Sequence, residues 1–577
     1  MILFNRSHLR IFFGFIIISS FISSSAHAAE VFYLSGAAAS SAVVNPSYSL
    51  KQRFHDLFDF TSGRELNDRS GRITGNIAQE ISWNNISGNT SKSFLRRGTD
   101  YLTELRLNIG AKLPKDYNFE GQIFLRKTDN NRIEQRGDVR MKQISTKIYN
   151  PKNIVEFADS YAEFSQFTLG TSLEGLSFET NPSEDQRYKG VIARAYGADV
   201  ATEKFQRNIF GFKMDQNFFR DSSVFSNFRV GLQHVTTQDD SSTLERTSNS
   251  KQIRNHVTSI DGALSLQKYL SMNYEIARSE HAPDLEADKN SEEAYAVRLQ
   301  PTLNMGKIQT RYLYNYVQPK FYTDVGSASP DMVQHQVTFD IALNASNTLS
   351  LTENYYWDHL RGSSLTKRTI NDEKYVVWAS RPFASRTSFS FRPYVNYQIR
   401  SSDDPGNTAS GVTRTGGFSV NDTIGSASVG ANYEYRAFTD KANRTASDYF
   451  HRVGLNFAKD YKLFGRRFYC SLDPALDLRS TKTSQKKDIN FNLGLNATYE
   501  ASQRFTIRLG NTLADSNRSK PGTDYFNNRT FSEFDYLINK KHATRFIVRA
   551  ERNRYVHEDG NQTYNEQRVI AKFVSNF

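Results

Sequence analysis

Between Tyr101 and Arg126 the chain changes chemical character at almost every step. Tyr101, Thr103, Leu105, Leu107, Ile109, Ala111 and Leu113 alternate with Leu102, Glu104, Arg106, Asn108, Gly110 and Lys112. After Pro114-Lys115-Asp116 the alternation resumes, with Tyr117, Phe119, Gly121, Ile123 and Leu125 set against Asn118, Glu120, Gln122, Phe124 and Arg126. Period two on both sides of a short turn specifies a β-hairpin with one apolar and one polar face.

The pattern recurs along nearly the whole chain. Ile260, Gly262, Leu264 and Leu266 are followed by Leu270, Met272, Tyr274 and Ile276. Phe389, Phe391, Pro393, Val395, Tyr397 and Ile399 alternate with Ser390, Arg392, Tyr394, Asn396, Gln398 and Arg400. Ile489, Phe491, Leu493, Leu495, Ala497 and Tyr499 do the same against Asn490, Asn492, Gly494, Asn496, Thr498 and Glu500, and their partner run carries Phe505, Ile507 and Leu509 between Arg504, Thr506 and Arg508. Each unit is about ten residues, the length a tilted strand needs to cross a bilayer. Short turns (LPKD, QKYLS, NASN, EASQ) follow one strand of each pair, and longer polar links such as Gln318–Asp331 and Ser401–Thr415 follow the other. A β-sandwich also alternates, but it does not need apolar faces this regular over most of 577 residues. The reading is all-β: a closed antiparallel transmembrane β-barrel of roughly 22 to 26 strands, with short periplasmic turns and long extracellular loops. Its apolar faces touch lipid, its polar faces line the lumen, and the closed ladder satisfies the backbone where there is no water.

Composition agrees. The mean hydropathy of −0.60 looks soluble, but a barrel hides its hydrophobicity in alternate residues. No apolar run after Ile22 approaches the roughly 18 residues of a membrane helix. The single cysteine, Cys470, forms no internal disulfide and reads as a small buried or lipid-facing residue.

The chain opens on Arg6 and Arg10, an apolar stretch from Ile11 to Ile22, and Ala26-His27-Ala28. This is the pattern of a secretory leader over 1–28. Residues 29–75 read as a periplasmic or lumen-inserted segment, in which Leu50, Phe54, Leu57 and Phe58 would share one face of a short helix. The barrel is expected over 76–577. The expected location is the outer membrane of a Gram-negative bacterium.

Two resemblances point the same way. EQRVIAKFVSNF closes on Phe577, with Phe573 and Val569 on the same face. It resembles the terminal strand by which the barrel-assembly machinery recognises outer-membrane proteins. It departs from that pattern at Ser575, where a hydrophobe is usual, and at Lys572, where a small residue is usual. FSQFTLGTSLEGLSFE (164–179) and YNYVQPKFYTDVGSASPD (314–331) resemble segments of large, mostly uncharacterised bacterial outer-membrane barrels. That resemblance implies an architecture and no activity. Pro319, Gly326 and Pro330 mark the second segment as an ordered loop.

Charge is the remaining functional signal. The formal charge is +12, of which Arg6 and Arg10 belong to the leader, leaving +10. Arg106, Arg126, Arg392, Arg400, Arg504, Arg508 and Arg549 occupy polar-face positions and are candidate pore-lining residues, with Glu104 and Glu120 among the acids beside them. A lumen biased in this way enriches anions. Arg504 and Arg508, four apart on one strand, would form two successive positive rungs. The histidines show no HExxH or paired metal spacing, and there is no G-x-S-x-G elbow or P-loop. No catalytic residue, metal or cofactor is expected. The chain is therefore expected to form a channel, porin-like or exporting a solute or polymer, with an anion preference. A non-conducting surface scaffold or adhesin is the alternative, and an outer-membrane enzyme a more distant one. Expected partners are outer-membrane lipid and lipopolysaccharide, the assembly machinery, and an anionic solute or polysaccharide. Nucleic acid would suit the charge but is not expected.

Overall fold

The computed structural model describes residues 71–134, 137–195, 206–219, 224–243, 251–285, 291–360, 368–402, 410–441, 447–482 and 487–577. The expected leader, and the expected helix at 50–58, lie outside the described residues.

Twenty-six strands follow one another in chain order. They are β1 (Arg72–Gly88), β2 (Gly98–Lys112), β3 (Asn118–Thr128), β4 (Arg140–Tyr149), β5 (Asn153–Ser165), β6 (Leu169–Ser183), β7 (Gln186–Ala195), β8 (Gln206–Phe218) and β9 (Phe225–Asp240). Next come β10 (Arg254–Leu266), β11 (Leu270–Ala282), β12 (Glu292–Met305), β13 (Ile308–Val317), β14 (Met332–Asn344), β15 (Asn347–Asp358), β16 (Thr369–Ser380), β17 (Ser390–Ser402) and β18 (Gly411–Ile424). The last are β19 (Ala427–Asp440), β20 (Asp448–Leu463), β21 (Arg466–Thr481), β22 (Lys487–Glu500), β23 (Phe505–Asn517), β24 (Tyr525–Asn539), β25 (Thr544–His557) and β26 (Tyr564–Asn576). The first begins at Arg72, slightly ahead of the boundary expected at 76.

Each strand pairs antiparallel with its neighbours, and β26 returns to β1, with a register running from Asn76 opposite Asn576 to Gly88 opposite Tyr564. The sheet is thus a closed barrel with no free edge. At the seam Phe577 and Gly75 exchange both backbone hydrogen bonds, at 2.9 and 3.0 Å. The Phe577 ring lies 2.5 Å from where a Cβ on residue 75 would sit. Only glycine there lets the last ring fold over the seam.

Tight links join β2–β3, β10–β11, β12–β13, β14–β15, β18–β19 and β20–β21 at the rim where β1 begins and β26 ends. Lys115 and Asp116 in the first of them have φ of 61° and 60°. Such a pair of positive φ values matches the twist of the flanking strands. Longer links occupy the opposite rim.

Cross-strand partners share a face, so the register can be followed around the wall. Ile192, Phe210, Phe212, Met214, Leu232, Ile260 and Ile276 form one continuous face and are exposed. This is the lipid side. The strands run 10 to 17 residues, longer than the roughly ten a bilayer needs. The surplus stands toward the long-loop rim, where the outward face turns aromatic and then polar. Tyr314, His335, Tyr355 and Trp357 stack there as part of an aromatic girdle. The Arg278–Glu293 ion pair lies on the same face toward that rim.

Candidate functional site

One hairpin does not stay in the wall. β4 pairs with β5 only between Ser145–Tyr149 and Ile154–Ala158. β6 pairs with β7 through Glu174–Thr180, with one further pair beside the turn. β5 and β6 nevertheless continue to pair with each other as far as Ser165 and Leu169. The bend is at Ala158, whose φ is 65°, and at its cross-strand partner Gly175. A Cβ on residue 175 would stand 2.4 Å from Ala193 Cα, so only glycine lets the departing strand lie this close to β7. Beyond these two residues the hairpin folds into the lumen.

Its apolar side packs on the inner faces of β7 to β13. Phe164, Leu169 and Leu173 meet Val191, Ala193, Ile209 and Val235 in one cluster. Phe167 meets Val257, Ala277, Ala294, Ala296, Val317 and Phe321 in a second. The wall alanines leave room for the Phe167 ring, which is fully buried. Each of these four large side chains gains roughly 1.5–3 kcal/mol by leaving water. They would otherwise stand exposed on the lumen side.

The link 318–331 lies over the hairpin. Gly170 N donates to the Val325 carbonyl at 2.7 Å, and Ser327 N to the Gln166 carbonyl at 2.6 Å. Phe321 meets Phe167 edge to face, with centroids 5.6 Å apart. Asp324 anchors the link to the wall by accepting from Arg207 at 2.7 Å and Thr237 at 2.6 Å. The Tyr322 carbonyl accepts from Asn255 and Ser279. Burial, reinforced by the Asp324 carboxylate, pushes the Tyr322 phenol up to about 12. The two segments singled out by resemblance thus form one inner assembly.

Beneath it lies a charged cluster. Lys213 is 3% exposed. Its Nζ donates to the Phe164 carbonyl at 2.6 Å and to Asp261 Oδ1 at 3.1 Å, with Asp215 at 3.6 Å. Arg229 approaches Asp215 and Asp261 at 3.5 and 3.3 Å. Glu275 is 5% exposed, and its Oε1 accepts from Ser165 Oγ at 2.5 Å and Phe167 N at 3.2 Å. Glu275 is therefore satisfied by the hairpin, and Lys213 by a hairpin carbonyl together with the wall carboxylates, as burial requires. Between hairpin and wall is a cavity of 590 Å³, bordered by Tyr161, Arg229, Asn273, Glu275, Arg298 and Gln300 among others.

The residues expected to line a pore lie on other parts of the wall. Glu104, Arg106, Glu120 and Arg126 lie on the face opposite the lipid side of β2 and β3, and so does Arg549 on β25. Arg126 pairs with Glu104 at 2.7 Å. Arg106 stacks 4.4 Å over the Phe124 ring, and Glu120 accepts from Tyr149 at 2.6 Å. Arg549 contacts Glu551 and reaches Glu533 at 3.3 Å. Arg392 and Arg400 lie on the inner face of β17 and form no ion pair among the described residues. The two rungs expected on one strand are not formed. Arg504 belongs to the turn before β23, and Arg508 is held by Glu533 at 2.5 Å and Asp535 at 3.2 Å. At the terminal strand Phe573 stands opposite Phe546, and Phe577 closes the seam.

Sequence reasoning missed Lys213, Glu275, Arg298 and the hairpin itself. One signal was available. The three residues Gln166–Thr168 form the shortest link on the long-loop rim.

No family model matches the chain, and no curated protein matches it. Among solved structures it is similar to the copper transporter OprC, with 10% identity, 88% of this chain and 81% of that chain covered, and a TM-score of 0.40. It is also similar to the siderophore receptor PirA from Pseudomonas aeruginosa, with 10% identity, 88% and 80% covered, and a TM-score of 0.38. The translocation pore of the P pilus usher PapC is similar at 10% identity, with 87% and 98% covered and a TM-score of 0.33. Likenesses this distant carry no functional assignment. What the chain's own geometry establishes is a closed 26-strand barrel of the outer-membrane type, with a polar inner wall partly covered by its own β5–β6 hairpin.

Proposed function

We propose that the protein is an aqueous conduit across the outer membrane, narrowed on one side by the inward hairpin and modestly selective for anions. The observation that carries this reading is the ionised inner wall of a barrel this wide. Eight strands enclose a space that side chains can fill, whereas sixteen or more leave an aqueous channel unless something plugs it. Lumen pairs such as Arg452–Asp477, whose arginine is half-exposed, belong in water. Most wall cations are neutralised by carboxylates, so the anion preference rests on those without such a partner, among them Arg106, Arg298, Arg392, Arg400 and Arg436. Outside, Arg552 and Arg554 lie on the lipid-facing side near the long-loop rim, suited to lipopolysaccharide phosphates.

The test is the reversal potential of single channels in a planar bilayer under a KCl gradient. Wild type should favour chloride, and replacing Arg298, Arg392 and Arg400 together by Gln should bring the ratio toward unity. An unchanged ratio would remove the anion preference. A folded barrel that never conducts would remove the conduit.

A further inference from the structure

Glu275 on β11 and Arg298 on β12 stand directly opposite each other in the register, on the lumen face. Opposite charges so placed ordinarily pair. Here they do not, because the Glu275 carboxylate is turned to the hairpin, where it accepts from Ser165 and Phe167. Arg298 is left with no hydrogen bond or ion pair to any described residue. The next cross-strand pair, Asn273 and Gln300, likewise has its side-chain amides free of described partners. Tyr161, which is exposed, borders the same 590 Å³ cavity.

Building on the conduit reading, we propose that this cavity binds a small carboxylate-bearing polyhydroxylated solute, a sugar acid. The planar guanidinium of Arg298 matches a carboxylate with two parallel hydrogen bonds. The amides of Asn273 and Gln300 each offer a donor and an acceptor, the requirement for neighbouring hydroxyls. Tyr161 supplies an aromatic surface with a polar tip, suited to the mixed faces of a sugar ring. The volume lies in the range of small-molecule sites. Glu163, Asp261 and Glu275 border the same space as Lys213, Arg229 and Arg298. Lys213 and Arg229 are engaged by Asp261, so Arg298 alone is left to meet a negative charge and the acids disfavour a dianion. The site therefore selects one carboxylate over a phosphate or a polyanion.

Calorimetric titration of the detergent-folded protein with D-galacturonate, D-galactose and inorganic phosphate tests this. Galacturonate should bind, with galactose and phosphate at least tenfold weaker. Arg298→Gln should weaken galacturonate at least tenfold, and Arg298→Lys should restore part of the loss. Arg452→Gln, which removes a lumen charge far from the cavity, should leave binding unchanged. Heat-modifiable gel mobility of each variant confirms that it is folded. Equal binding of galactose, or full binding by Arg298→Gln, overturns the site. Conductance of the same preparations separates the two readings. A conducting barrel that ignores galacturonate loses the site and keeps the conduit, whereas binding by a non-conducting barrel keeps the site and loses the conduit.

Discussion

At the scale of single residues, period two decides which way a side chain faces and leaves open what it meets. Leu493 and Asn492 are neighbours on β22, with Leu493 opposite Leu513 and Asn492 opposite Ala514. Leu493→Arg puts a charge on the lipid face near the middle of the strand, at a cost of roughly 2–4 kcal/mol. Asn492→Arg puts the same charge in the lumen, where it should cost much less. The folded fraction after refolding into vesicles, read from heat-modifiable mobility, should fall for the first and hold for the second; equal losses would mean the faces are assigned the wrong way round. Pairing is less legible than facing. Arg508 reads as a free positive rung because Glu533 and Asp535 lie on another strand, and only the turn between β23 and β24 sets which residues stand opposite. Arg504 reads as a strand residue because the alternation runs into the turn without a break.

At the scale of elements, the strands are legible and the one that bends is not. β5 and β6 alternate as their neighbours do, yet they leave the wall at Ala158 and Gly175, where backbone conformation and close approach override the pattern. No property of the alternation distinguishes a face packed on lipid from one packed on the inner wall, since both are apolar. The resemblance of 164–179 and 314–331 to segments of other barrels singled out the two pieces, but their contact is long-range and appears only in three dimensions. Gly175→Val would drive a side chain into Ala193 and disturb the base of the hairpin while β7 and β8 remain paired. Hydrogen exchange should then rise at least tenfold across 159–174 and stay slow across 206–218. Unchanged protection at 159–174 would show that the hairpin's position does not depend on this close approach.

At the scale of the molecule, alternation and length together reach the closed barrel and the range of strand number, because only a closed sheet satisfies every backbone group in lipid. The lumen's contents are not reached, since they depend on which link folds inward. The proposed conduit is a water-filled barrel with one side narrowed by residues 159–174. The most direct measurement is single-channel conductance of wild type beside a variant in which 159–174 is replaced by Asn-Gly, a turn suited to joining two strands. Both should fold to heat-modifiable barrels, and both should conduct, the shortened one with a clearly larger unit step. Equal steps would show that the hairpin does not narrow the path, and silence from both folded barrels would contradict the conduit itself.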